Sequence, residues 1–173
     1  AITSTHGSRY TSVSTAHWKL KMKSFLSPLL RSGRSSLALT NTRNHRIVAR
    51  TLLTAFDSKS RRTGLLEHDS LPEGSALIIA PSQAIHTFSM RFVIDVAFVS
   101  RNGRVLKLRR DMPPRRVAAA WRAFAVIELA AGALDADEGA DAVAIGLHAL
   151  RTDADEPVPV PAVVAIEPGG TVV

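Results

Sequence analysis

The chain has 173 residues and no cysteine. That excludes disulfides, thiolate zinc sites and a thiol nucleophile, and it fits a reducing compartment, so a cytoplasmic location is expected. No apolar run approaches the roughly 20 residues a helix needs to cross a bilayer, so a soluble domain is expected. Acidic residues are absent from positions 1–36. The net charge of +7 therefore has to be divided along the chain: residues 1–63 carry 12 bases against one acid, Asp57, while residues 64–173 carry 10 bases against 14 acids. The basicity belongs to the N-terminal third and not to the apolar body. Several patterns that carry a mechanism are also missing. There is no GxxxxGK[ST] phosphate loop, GxGxxG, HExxH or GxSxG, which removes common nucleotide, zinc-protease and hydrolase readings.

What is present suits one domain with tails. Residues 1–36 are rich in Ser, Thr, Lys and Arg with no apolar period, and read as a disordered basic extension. The same composition resembles an organelle transit peptide, which makes export or organelle targeting the alternative to the cytoplasm. The blander expectation is that Met22 is the natural start and residues 1–21 are added or upstream-translated sequence. N-terminal sequencing of the native protein decides between them. Through phosphate contacts a basic arm over residues 1–50 can also hold nucleic acid or an anionic surface. Residues 37–150 form the expected domain, and residues 151–173, with Pro157, Pro159, Pro161 and Pro168 among valines, an extended tail.

Within the domain, Arg46 to Ala55 reads as one or two short strands. Asp57 or Ser58 caps a short helix running to about Leu66. Leu71-Pro72-Glu73-Gly74-Ser75 is a turn, and Ala76 to Ala80 a buried strand. From His86 to Phe98 the chain alternates, with His86, Phe88, Met90, Phe92, Ile94, Val96 and Phe98 on one parity. That predicts one long half-buried strand with a bend near Val93. Asn102-Gly103 predicts a two-residue type I′ turn into a partner strand at Arg104–Arg110. Residues 115–134 are ambiguous: the Ala-rich run has high helix propensity, yet Val126-Ile127-Glu128-Leu129 before Gly132 suits a strand. The stretch 115–124 is left as helix or loop. Asp135 to Asp141 is an acidic loop and Val143 to Leu150 a closing strand.

The run from Ile85 to Val96 resembles a prokaryotic family known as domain of unknown function 192, whose hallmark is IHTFxMRFPIDVxF. Arg62-Thr63-Gly64-Leu65-Leu66 looks like its RxxGLL element. Val126 to Gly132 looks like its VLELPAG, and Leu71-Pro72-Glu73-Gly74 and Pro81-Ser82-Gln83 fall in the matching places. The resemblance spans about residues 39–150. Val93 and Ala130 replace two of the family's prolines, Ser100 replaces an acid common before the turn, and the closing Gly-Asp element is blurred at Gly139-Ala140-Asp141. The resemblance implies a small α+β fold, mainly β, a barrel-like or sandwich-like antiparallel domain with one or two short helices. It also implies a strand at 125–129. It supplies no activity.

The residues that could carry chemistry are Gln83, His86, Thr87, Arg91, Asp95 and Glu128. His86 could serve as a general base near neutral pH, with Asp95 or Glu128 as the acid partner of an uncharacterised enzyme, a hydrolase in class. Its place on the apolar parity predicts instead a core histidine. Arg91 could hold a carboxylate or phosphate bidentately. On a straight strand Arg91 and Asp95 stand roughly 13 Å apart, so the structural reading has Asp95 capping a turn or satisfying backbone donors and Arg91 meeting another acid such as Glu128. His68, His86 and His148 lack metal-site spacing, and no cofactor is expected. Phe88, Phe92, Phe98, Trp121 and Phe124 are read as core. The preferred function is a non-catalytic binding or accessory domain presenting a polar patch around His86, Arg91, Asp95 and Glu128, with a small molecule as one possible ligand.

Overall fold

The computed structural model describes residues 23–31, 37–134 and 144–149, and residues 164–165 as backbone alone. The architecture is α+β and mainly β. Its frame is a six-stranded mixed sheet in the order β11-β3-β4-β9-β6-β7, built from Val164–Ala165 (β11), Thr51–Ala55 (β3), Ser75–Ile79 (β4), Ala125–Ala130 (β9), Ile94–Val99 (β6) and Val105–Met112 (β7). β3 and β4 run parallel, whereas β4–β9, β9–β6 and β6–β7 are antiparallel. The parallel pair needs a crossover, which residues 56–74 supply, including helix α2 (Ser58–Thr63). Asp57 caps that helix by accepting from the Lys59 and Ser60 N–H groups at 2.8 and 2.9 Å, and Gly64 ends it at φ +50°.

The central strands β4, β6 and β9 are buried along their whole length, so they read as nearly continuous apolar runs, as strands covered on both faces do. Because side chains alternate along a strand, the sheet has two distinct faces. Leu52, Ala76, Ile78, Ala97, Val99, Ile127 and Leu129 pack on the first. A three-stranded antiparallel sheet covers them in the order β10-β1-β2, from Ile145–Ala149, Leu37–Asn41 and Ile47–Ala49. Leu77, Ile79, Ile94, Val96, Phe98 and Val126 face the second side, under Leu65, Leu71, Ile85, Met90 and Met112. A two-stranded ribbon, Ala84–His86 (β5) with Val117–Ala119 (β8), closes that side. The result is sandwich-like, with no closed barrel among the described residues. No helix among them is long and apolar enough to cross a membrane.

Four local expectations need correction. The alternating run from His86 to Phe98 is not one strand: β5 ends at His86, β6 starts at Ile94, and Ser89 sits at φ +68° between them. The parity inverts there because Thr87 goes inside. Its hydroxyl donates to the Pro113 carbonyl at 2.7 Å and accepts from the Arg116 N–H at 2.9 Å, so a polar side chain is buried at little cost. Ile85 is then buried, and His86 and Phe88 are exposed.

The Asn102-Gly103 turn is a three-residue loop and not a type I′ turn. The Gly103 N–H reaches the Ser100 carbonyl and the Ser100 N–H reaches the Arg104 carbonyl. Within the loop Gly103 takes positive φ, +89°, and Asn102 does not, the pattern of a type I turn with a glycine bulge. Close approach also requires glycine here, since a Cβ would lie 2.2 Å from the Ile145 carbonyl oxygen.

Residues 115–124 are neither helix nor simple loop. They hold β8 and a turn, because pairing with β5 buries Ala118 and outweighs alanine's helix propensity. Order also begins before Leu37. Ser27–Arg31 forms a short helix, α1, with Leu26 fully buried in the first core. Pro28 does not break it, because proline is tolerated in a first helical turn. Residues 1–22, the acidic loop at 135–141 and most of the C-terminal tail lie outside the described residues.

Candidate functional site

The six polar residues picked from the sequence are not brought together. Gln83 and His86 are exposed on and beside β5, the His86 ring 5.4 Å from that of Phe88. Thr87 is buried and its hydroxyl is committed to residues 113–116. Arg91 is on the surface in an ion pair with Asp69 and not with Glu128, both side chains of the pair largely exposed. Asp95 and Glu128 are inside the sheet, and among the described residues no hydrogen bond joins His86 to either. His86 is thus a surface histidine and not a core one. The inversion at Thr87 is the reason.

Asp95 and Glu128 are the buried acidic residues among those described. Asp95 lies opposite Leu129, and Glu128 lies between Leu77 and Val96. Paired residues share a face, so Asp95 belongs with Leu129 on the first face and Glu128 with Leu77 and Val96 on the second. Asp95 accepts from the Asp111 N–H at 2.9 Å and from the Leu134 N–H at 3.1 Å, which ties the end of β7 and the turn after β9 to β6. Glu128 Oε2 is buried without a hydrogen-bond partner. Burial pushes the Glu128 carboxyl up from 4.5 to about 7.

A concentration of like charge appears elsewhere. The residues leading into α1, the β6–β7 loop and the turn after β8 enclose an open cleft of about 750 Å³. Lys23, Arg101, Arg104 and Arg122 line it together with Phe25 and Trp121, and among the described residues no acid lines it. The Phe25 N–H donates to the Arg101 carbonyl at 3.0 Å, fixing one wall. The Arg101 guanidinium lies over the Phe124 ring, 4.1 Å from its centroid. Trp121 is 85% exposed, contrary to its expected place in the core, as is Phe88 at 49%. The Ala120–Ala123 turn holds Trp121 out, closed by the Ala123 N–H on the Ala120 carbonyl, with Arg122 at φ +67°. Guanidinium groups are fit for phosphate or carboxylate. A signal for it stands in the sequence: residues 91–122 carry nine bases and two acids, masked by the acidic balance of residues 64–173. No group of three or more His, Asp or Glu among the described residues is placed to hold a metal ion.

Comparison with known proteins speaks to fold and family. A search of curated proteins finds no match. A protein of unknown function from Novosphingobium aromaticivorans DSM 12444 has a similar structure, with a TM-score of 0.50 at 17% identity, over 65% of this chain and 82% of its own. A second, from Sinorhizobium meliloti 1021 and described as a proposed transcription regulator, gives a TM-score of 0.52 at 14% identity, over 65% of this chain and 91% of its own. At such identities the likeness is one of fold alone. The model of domain of unknown function 192, described as an uncharacterised ACR, matches residues 39–140. That interval contains strands β2 to β9 and the motif at Ile85–Val96, and it spans more than half of the chain: the protein belongs to the domain of unknown function 192 family.

Proposed function

We propose that this domain is a non-catalytic binding module whose ligand is anionic and occupies the cleft between α1, the β6–β7 loop and the turn after β8. The observation that carries this reading is the lining: four cationic side chains and an exposed indole, with no acid among the described lining residues. Like charges held together repel, and a cleft of one sign focuses its field and raises the local concentration of the opposite ion. A non-catalytic role is favoured by the placement of the acids, since Asp95 is occupied with backbone donors and Glu128 is sealed inside the sheet.

The test uses inorganic tripolyphosphate and isothermal titration of the full chain. Binding that weakens with added salt, and that falls at least about tenfold in an Arg101→Ala, Arg104→Ala double variant of unchanged melting temperature, is the expected result; losing two phosphate-binding guanidiniums is worth at least that. A Lys19→Ala, Lys21→Ala variant separates the cleft from the basic arm over residues 1–50. If that change abolishes binding and the cleft double variant does not, the anion belongs to the arm and this proposal fails.

A further inference from the structure

Resting on the anion-binding reading, we infer that the cleft binds single-stranded nucleic acid, with backbone phosphates on Lys23, Arg101, Arg104 and Arg122 and an unpaired base stacked on Trp121. The argument starts from the indole. A tryptophan carries a large apolar surface that folding normally removes from water, and this one is left 85% exposed while Phe98 on β6 and Phe124 just before β9 are buried. The turn that displays it also places an arginine, Arg122, at φ +67°. L side chains adopt that region at a cost, so the backbone is strained at the residue beside the exposed ring.

The surroundings select the class of partner. Arg101 is already stacked on Phe124, so its guanidinium plane is set before any ligand arrives and less freedom is lost on binding. Cationic side chains that track a backbone, interleaved with an aromatic face, are the arrangement that binds single strands regardless of sequence. Duplex keeps its base faces inside the stack and offers nothing to Trp121. A bilayer surface is met by an apolar face that projects from the protein, whereas Trp121 belongs to the wall of a concave cleft whose other residues are mostly charged or polar. Upstream of Lys23 the sequence carries Arg9, Lys19 and Lys21 and no acid, so the sequence joined to Lys23 is of the same sign of charge.

The experiment measures fluorescence anisotropy of two labelled strands with the full chain, an eight-nucleotide oligo(dT) and an abasic strand with the same number of phosphates, and co-sedimentation of the chain with vesicles containing phosphatidylserine. Oligo(dT) is expected to bind about tenfold more tightly than the abasic strand, within the range one stacked base contributes. Trp121→Ala should reduce oligo(dT) binding to the abasic level with no change in melting temperature, and Trp121→Phe should restore most of it. Equal binding of the two strands, with no effect of Trp121→Ala, overturns the stacking inference and leaves the anion-binding reading standing. Failure of both strands and of tripolyphosphate overturns both. Binding of vesicles without binding of oligo(dT) overturns the inference in favour of a membrane surface.

Discussion

Asp95 on β6 and Glu128 on β9 occupy neighbouring register pairs of one sheet, and they meet opposite surroundings. Asp95 faces the first core and accepts two backbone hydrogen bonds from segments 16 and 39 residues further along the chain. Glu128 faces the second core between Leu77 and Val96 and leaves Oε2 without a partner. Both are buried to nearly the same degree, Asp95 at 0% and Glu128 at 3% exposure, so depth does not separate them. What separates them is the supply of donors. A carboxylate met by N–H groups becomes a clasp between elements, while one met by aliphatic carbon is disfavoured as an anion and holds its proton more tightly.

The largest effect expected from this contrast is at Asp95. Asp95→Ala removes the acceptor of the Asp111 and Leu134 N–H groups and leaves the second donor buried and unsatisfied. Each charge-assisted bond contributes roughly 1.5–3 kcal/mol, so a loss of about 4 kcal/mol is expected. Urea unfolding measures it, and a loss below about 1 kcal/mol would show that Asp95 clasps nothing.

Glu128 should behave in the opposite sense, and with pH. Its folded value of about 7 lies above the ordinary 4.5. Below pH 4.5 both folded and unfolded chains hold the proton. Between 4.5 and 7 the folded chain keeps it while the unfolded chain releases it, so stability declines as pH rises, and above 7 the decline stops. Holding one proton that the unfolded chain has released costs roughly 1.4 kcal/mol for each step of one in pH, so the decline totals about 3 kcal/mol. Glu128→Gln should remove that slope, so the variant gains on the wild type at pH 8 and not at pH 4. A stability difference between the two chains that does not vary with pH would refute the buried, unpartnered carboxyl.

How much of this could be read in advance depends on how local each cause is. The strand at Ala76–Ala80 was legible because an apolar run bounded by Pro72-Glu73-Gly74 and Pro81 says so within a few residues, whereas Val126–Leu129 stayed open between helix and strand until the family resemblance decided it. The Asp57 cap was legible for the same reason. The break between β5 and β6 was not, since the groups that allow Thr87 to be buried, Pro113 and Arg116, lie 26 and 29 residues away. Alternation from His86 to Phe98 counts neighbours and cannot register such a partner. The candidate cluster dissolved on the same ground: a one-residue difference in register moves a side chain to the other face, and the pairing Val96 with Glu128 is a property of the folded sheet. The cleft was partly legible, in the bases of residues 91–122, but its convergence on Lys23 and Trp121 needs three separated segments to meet.

Two surface acids and their partners extend the contrast to weaker effects. Asp57 accepts from the Ser60 hydroxyl at 2.6 Å and from two backbone N–H groups, and its carboxyl is held below the usual value by the Ser60 hydroxyl first and then by the Ser60 N–H. Its contribution is therefore present above the ordinary carboxylate range and lost as pH falls through the lowered value. Asp57→Ala should cost about 1 kcal/mol at neutral pH, the usual worth of a helix cap, and clearly less at acid pH. Equal costs at both would show that the charge takes no part.

Arg91 completes the series at its weak end. Its guanidinium and the Asp69 carboxylate meet with side chains 76% and 82% exposed, so water solvates both groups before and after pairing. The attraction is then offset by hydration and by the freedom two long side chains give up. Arg91→Ala should cost no more than about 0.5 kcal/mol, and less still at 1 M salt, where screening acts over about 3 Å. Thermal melting of wild type and variant at two salt concentrations measures this. A loss above about 2 kcal/mol that persists in high salt would mean that Arg91 serves a buried acid, and Glu128, with Oε2 unpartnered, would be the first residue to examine by a double-mutant cycle. In that event the two carboxyl groups of the sheet would differ in which partner they have, and no longer in whether they have one.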